Sequence, residues 1–248
     1  MVSSHVNETF LTLNTKAGEG LVSAERKRLN KSLQRIKFKN VCKSCNNGWM
    51  SVIVNDAKPI VVQLVENSVR AEISPAQQTK IALWICVTAI MAEFLNPKKG
   101  FSSEFSRDFI FKHRKPPPNW QIWIGCAADD LAARGIQYSH QRTLYAPPST
   151  APQLHDGVVE QIDNCCEIST NCIKGLVYHA VRNDNMEHLA AYLPPIEKLY
   201  CIWPKASINL TLDMSTLQKI SVNDFSKLTY SLVRCFSNDG PLRNPSGV

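Results

Sequence analysis

The stretch "ISPAQQTKIALWICVTAIMAEFLNP", Ile73–Pro97, decides how the chain is organised. Ser74 can accept from the first turn of a helix, Pro75 suits the first helical position, and Gln77 completes a capping box. Asn96-Pro97 stops the run, because proline offers no backbone donor and disfavours helix at the residue before it. Between these signals the segment is apolar on every side. The core of that run, Ile81 to Leu95, is shorter than the roughly 18 residues a bilayer span needs, and it contains Glu93. The spacing predicts a helix buried inside a folded body and no membrane element.

Working outward, "SSEFSRDFIFKH" predicts a shorter helix with Phe105 and Phe109 one turn apart, broken by "HRKPPPN". Beyond it "WQIWIGCA", "IKGLVYHAV" and "KLYCIW" predict strands. The stretch 128–172 reads as long and irregular, with room for another strand at "YSHQRTLYA". "VNDFSKLTYSLVRCF" places Phe225, Leu228, Leu232 and Phe236 on one helical stripe, with Asn223 as its expected cap. Upstream, "GWMSVIVNDAKPIVVQLVENSV" predicts a helix interrupted near Pro59. "RIKFKNV" fits a helix or a short strand equally. The expected fold class is α+β: a small zinc-knuckle, ββα-type N-terminal module (1–70) packed on a mixed α/β body (71–236), with a flexible tail (237–248).

The composition is that of an ordinary globular chain, 44% hydrophobic and 20% charged. The opening "MVSSHVNETF" has neither a basic nor an apolar signal region. Nine cysteines are scattered through the chain, and Cys86, Cys126, Cys201 and Cys235 sit among apolar neighbours. That pattern suits buried thiols in a reduced, cytoplasmic protein better than a disulfide framework. Of the net +7, most lies in residues 1–50, where nine Lys and Arg face three acids; the remainder holds nineteen against eighteen. Such a field attracts polyanions, nucleic acid foremost, although a solvated basic face has the same composition. The basic candidates are Arg26, Lys27, Arg28, Lys31, Arg35, Lys37, Lys39 and Lys43.

Those charges run into "NVCKSCNNGWMS", Asn40–Ser51. A C-x-x-C pair, Cys42 and Cys45, supplies half of a tetrahedral Zn2+ site. Cys165, Cys166, Cys172 or His5 are the candidates for the other half. Two small side chains packed at a turn before a helix would explain the pair as well.

This stretch resembles a family of bacterial proteins related to the HNH endonucleases, the His-Me finger or ββα-metal group, in which "VC-x-x-CNNGWMS" leads into a helix. The likeness continues in "SPAQQTKIALWICVTAIMAEF", "PPPNWQIWIG" and "LYCIWPKASINLTLD", and so spans nearly the whole chain. The resemblance implies a structural zinc on paired cysteines. It also implies a histidine acting as general base on water and one catalytic Mg2+ or Mn2+ on the scissile phosphate. Position by position, His5 takes the place of the base and Asn46 that of the cation ligand at the helix start. Asn47 and Gly48 would shape the turn, with Trp49 and Met50 packing it against the body.

The sequence departs from the pattern at three points. Ser4 stands where the family has Glu, Glu8 stands at its proline, and only four residues precede His5, where the first cysteine pair would lie. Half of the zinc site is therefore expected to be missing. The expectation is an HNH-like endonuclease acting on DNA or RNA, DNA favoured, or a direct derivative of one. The rival is a catalytically degenerate finger retained for nucleic-acid or protein binding.

Overall fold

The structure is a computed structural model. It describes residues 15–16, 19–20, 41–66, 70–93, 104–133, 137–144, 154–155, 158–159, 165–173, 175–183, 193–194, 196–204, 209–213 and 218–229. A minimal antiparallel hairpin, β1 (Thr15–Lys16) with β2 (Glu19–Gly20), comes first. A single helical turn, α1 (Lys43–Cys45), opens into a wider turn over Asn46–Met50 and then into α2 (Ser51–Glu66). The helix expected to break at Pro59 is continuous through it. Pro59 lies on the exposed side, while Ile53, Ala57, Ile60 and Leu64 form a buried stripe. Packing of that stripe offsets the single backbone bond that proline removes.

Strand β3 (Arg70–Ile73) leads into α3 (Pro75–Glu93). The predicted capping box closes: Ser74 N–H donates to Gln77 Oε1 at 2.9 Å, and Gln77 N–H donates to Ser74 Oγ at 3.3 Å. Ile81, Ala82, Ile85, Cys86 and Ala89 are all sealed from solvent. α3 packs against α2 and the main sheet, and among the described residues its exposed ones, Ala76 and Lys80, lie in its first two turns. The expected stop at Asn96-Pro97 lies outside the described residues.

After α4 (Glu104–His113) come β4 (Trp120–Cys126), α5 (Asp129–Ala132), β5 (Gln137–Leu144), the short pair β6 (Leu154–His155) and β7 (Val158–Val159), β8 (Cys165–Ile173), β9 (Leu176–Asn183), β10 (Tyr200–Trp203), β11 (Leu210–Asp213) and α6 (Val222–Thr229). Five strands form one antiparallel sheet in the order β10-β4-β9-β8-β5, and β11 pairs separately with β3.

Two strand expectations need correction. "IKGLVYHAV" is a hairpin and not one strand: Ile173 ends β8, Gly175 turns with φ +92, and Leu176 begins β9. Only glycine takes that φ without cost. The irregular stretch 128–172 in turn contains all of β8, from Cys165 onward, but its last residue, Ile173. Cys, Ser, Thr and Asn residues hid it, because this strand buries polar side chains: Ser169, Thr170 and Asn171 are all buried.

The sheet is covered on both faces, which is why β9 is buried along its whole length. Tyr178 and Ala180 join α3 and β4 in the main core, while Val177, with Cys172 across the register, faces Leu131, Phe225 and Leu228 of α5 and α6. Gly125 marks the tightest approach, since a Cβ there would stand 2.7 Å from Ile220 Cδ1 and 2.9 Å from the Lys198 carbonyl.

Helix α6 is not capped by Asn223, which is exposed inside the helix. Ser221 and Asp224 form the box instead: Ser221 N–H donates to Asp224 Oδ2 at 3.1 Å and Asp224 N–H to Ser221 Oγ at 3.2 Å. Partial burial works against the Asp224 carboxylate, yet Lys198 at 2.8 Å and the Ser221 donors outweigh it and hold its pKa down to about 2. Leu232 and Phe236 lie outside the described residues. Among the described residues no helix is long and apolar enough to cross a membrane.

Candidate functional site

The helical segment begins at Cys42, one turn earlier than the resemblance places it. Cys42 is extended (φ −63, ψ 148) and acts as the N-cap, its Sγ accepting from Cys45 N–H at 3.1 Å. Asn46 is already helical (φ −64, ψ −47), with its N–H on the Cys42 carbonyl at 3.0 Å; it closes α1 as its C-cap and is not an N-cap. The non-helical residue is Gly48 (φ −93, ψ −114), which redirects the chain into α2.

This turn divides sharply by burial. Cys42, Lys43, Ser44, Asn46, Asn47 and Gly48 are exposed and Cys45 is half-buried. Met50 belongs to the main core, with Cys45 and Trp49 packed against it. The head of the turn is thus presented to solvent by an apolar foot.

The two thiols are unequal. The adjacent Cys45 side chain, the Ser44 hydroxyl 3.1 Å from Cys42 Sγ and the Cys45 N–H together lower the Cys42 pKa to about 7. The Cys42 side chain raises Cys45 in turn, against the opposing pull of the Trp49 indole and the Arg114 charge. Trp49 Nε1 is buried, and among the described residues no acceptor meets it in full hydrogen-bond geometry. Asn46 Nδ2 donates to Asn47 Oδ1 at 3.3 Å. That bond uses the amide nitrogen and not the carbonyl oxygen, the atom a hard cation would take.

Arg114, just beyond α4, reaches the same place. Its guanidinium carbon lies 4.5 Å from the centre of the Trp49 ring and 4.9 Å from that of Phe111, and the two rings meet edge to face at 5.9 Å. Its backbone is left-handed (φ 52), with its N–H on the Ile110 carbonyl at 3.0 Å. Its Nη1 donates to the Ile110 carbonyl at 3.2 Å and to the Phe111 carbonyl. One side chain therefore caps α4 and stacks on the knuckle's tryptophan. The sequence signals this helix end only as a basic run, "KHRK"; nothing in the spacing pairs Arg114 with Trp49.

Of the residues singled out from sequence, the structure brings together Cys42, Cys45, Asn46 and Lys43. His5 and the basic residues Arg26, Lys27, Arg28, Lys31, Arg35, Lys37 and Lys39 lie outside the described residues. Cys172 is excluded as a partner for the knuckle, being fully buried in the cluster on the α6 face of the sheet. Cys165 and Cys166 are placed only as backbone positions of β8. Among the described residues no three His, Cys, Asp or Glu side chains converge as a metal site.

His179 is fully buried, with Nδ1 2.8 Å from Thr170 Oγ1 and its ring 5.8 Å from that of Trp123. Burial pushes its pKa down to about 3, so it is neutral and part of the core.

No protein-family model matches the chain, and no curated protein and no solved structure matches it.

Proposed function

We propose that this chain is an HNH-like, metal-dependent endonuclease, or a direct derivative of one, that hydrolyses phosphodiester bonds of DNA and secondarily of RNA. The observation that carries the reading is the exposed head of the knuckle. Cys42 and Asn46 are open to solvent, with Cys45 half-open beside them, on a turn whose next residues, Trp49 and Met50, are anchored in the body. Cysteines kept only for packing would be buried, as Cys86, Cys126 and Cys172 are.

The donor set fits half of a zinc site: two thiols three residues apart, one already shifted toward thiolate by the hydrogen bonds around it. Cys42 and Cys45 would hold that zinc, which would stiffen the turn. Asn46 would offer its carboxamide oxygen to the catalytic Mg2+ or Mn2+, and such an ion supplies charge neutralisation at the scissile phosphate. His5 takes the proton from the attacking water. Lys43 and the basic residues upstream bind phosphates without regard to sequence.

The second reading, a non-catalytic finger that binds nucleic acid or a protein partner, is favoured by Ser4, which gives the position beside His5 no charged ligand. Cleavage separates the two. Plasmid and RNA are incubated with the purified chain and Mg2+ or Mn2+, beside His5→Ala and Asn46→Ala. Cleavage lost in both variants is the expected result. An inert parent chain, or cleavage untouched by either substitution, would leave the binding reading in its place.

A further inference from the structure

Helix α4 wears its aromatic side chains on the outside. Ser106 and Ile110 face inward, Ser106 accepting from Trp120 Nε1 at 3.2 Å, whereas Phe105 and Phe111 are 53% and 51% exposed. Phe105, Phe109 and His113 form a continuous row, with ring centres 5.8 and 4.5 Å apart. On the adjoining side Phe111 meets Trp49 beneath the Arg114 guanidinium. A phenylalanine half open to water gains little from folding, so two on one ten-residue helix call for an occupant.

The charges around these rings say what kind. Arg107, Lys112, Arg114 and Lys115 are exposed on or just beyond α4, and Lys43 is exposed at the knuckle. The acids on this helix are Glu104 in its first turn and Asp108, which pairs with Lys112 at 3.3 Å. Five cations against two acids around the rings suit a polyanion. A duplex hides its base faces in the stack. Unpaired bases expose theirs, and rings interleaved with cations suit a chain of bases joined by phosphates.

We infer that α4 and the adjoining knuckle form a binding face for single-stranded nucleic acid, with bases stacking on Phe105, Phe109, His113 and Phe111 and phosphates meeting Lys112, Arg114, Lys115 and Lys43. The inference deepens the nucleic-acid reading above and rests on it. It extends the interface from the basic N-terminal segment to a second element and selects unpaired over paired substrate.

Fluorescence anisotropy tests it with the full chain, Mg2+ and Mn2+ left out, using a labelled 20-nucleotide oligothymidylate and a duplex of equal length. The parent chain is expected to bind the oligothymidylate more tightly than the duplex. Phe105→Ala should weaken that binding at least about 5-fold without changing its salt dependence, because stacking carries no counterions. Lys115→Ala should reduce the slope of log K against log salt by about 0.7. Both side chains are exposed, and an unchanged melting temperature checks that each variant folds. Equal or tighter duplex binding, or oligothymidylate binding indifferent to Phe105→Ala, overturns this face while leaving the nuclease reading intact. Failure to bind either nucleic acid overturns both.

Discussion

The sheet with α3 and the knuckle solve opposite problems with neighbouring stretches of chain. In the body, β9 and the inner face of α3 are buried, and their chemistry is sealed: Cys86 is pushed well above its ordinary pKa by burial and His179 well below. In the knuckle the same residue type is turned outward, and hydrogen bonds rather than burial set its pKa. A cysteine's role in this chain thus follows from which side of Met50 and Trp49 it lies on. Buried thiols are small hydrophobes; exposed Cys42 is shifted toward the thiolate.

Thiol reactivity should show the contrast at its largest. At pH 7 the folded, zinc-free chain treated with iodoacetamide should be modified at Cys42, whose pKa is lowered to about 7, while Cys86, Cys126 and Cys172 react only after unfolding. Peptide mass spectrometry reads this directly, and early modification of Cys86 would contradict the division. Stability should follow the same line. Ile122→Ala, at a fully buried position of β4, should cost about 2–5 kcal/mol in urea unfolding. Asn46→Ala should stay within about 0.5 kcal/mol.

The body should also carry a pH signature on the acid side. Unfolded, His179 takes up a proton below pH 6.5, but in the fold it stays neutral down to about 3. Its contribution is therefore complete above pH 6.5 and is lost as pH falls toward 3, at about 1.4 kcal/mol per unit. His179→Gln should flatten that limb of a stability–pH curve, and an unchanged slope would remove the assignment. Asp224 acts lower on the same scale, its contribution present above pH 3.8 and lost through about 2. A local change should cost less than a core one: Ser221→Ala should cost about 1 kcal/mol by opening the α6 box.

How legible each region was follows from the same contrast. The cap at Ser74 and Gln77 and the strand at Trp120–Cys126 could be read in advance because local capping and apolar runs decide them. β8 could not, since its buried Ser169, Thr170 and Asn171 look like loop residues until the neighbouring strands are in place. Pro59 misled for a related reason: the α2 stripe is held by α3, which no local signal reports. In the site, the C-x-x-C pair announced itself through spacing, but its cap geometry did not, because Asn is the commoner helix starter and Cys42 holds that position. Arg114 was out of reach, since its contact with Trp49 joins residues that only the fold brings together.

The most direct test of where this molecule acts is photo-crosslinking of the full chain to a 4-thiothymidine oligonucleotide, mapped by peptide mass spectrometry. The account expects crosslinks within Lys43–Trp49 and Phe105–Lys115, competed by unlabelled single strand. Crosslinks confined to the sheet and α6, or none that single strand competes, would contradict it.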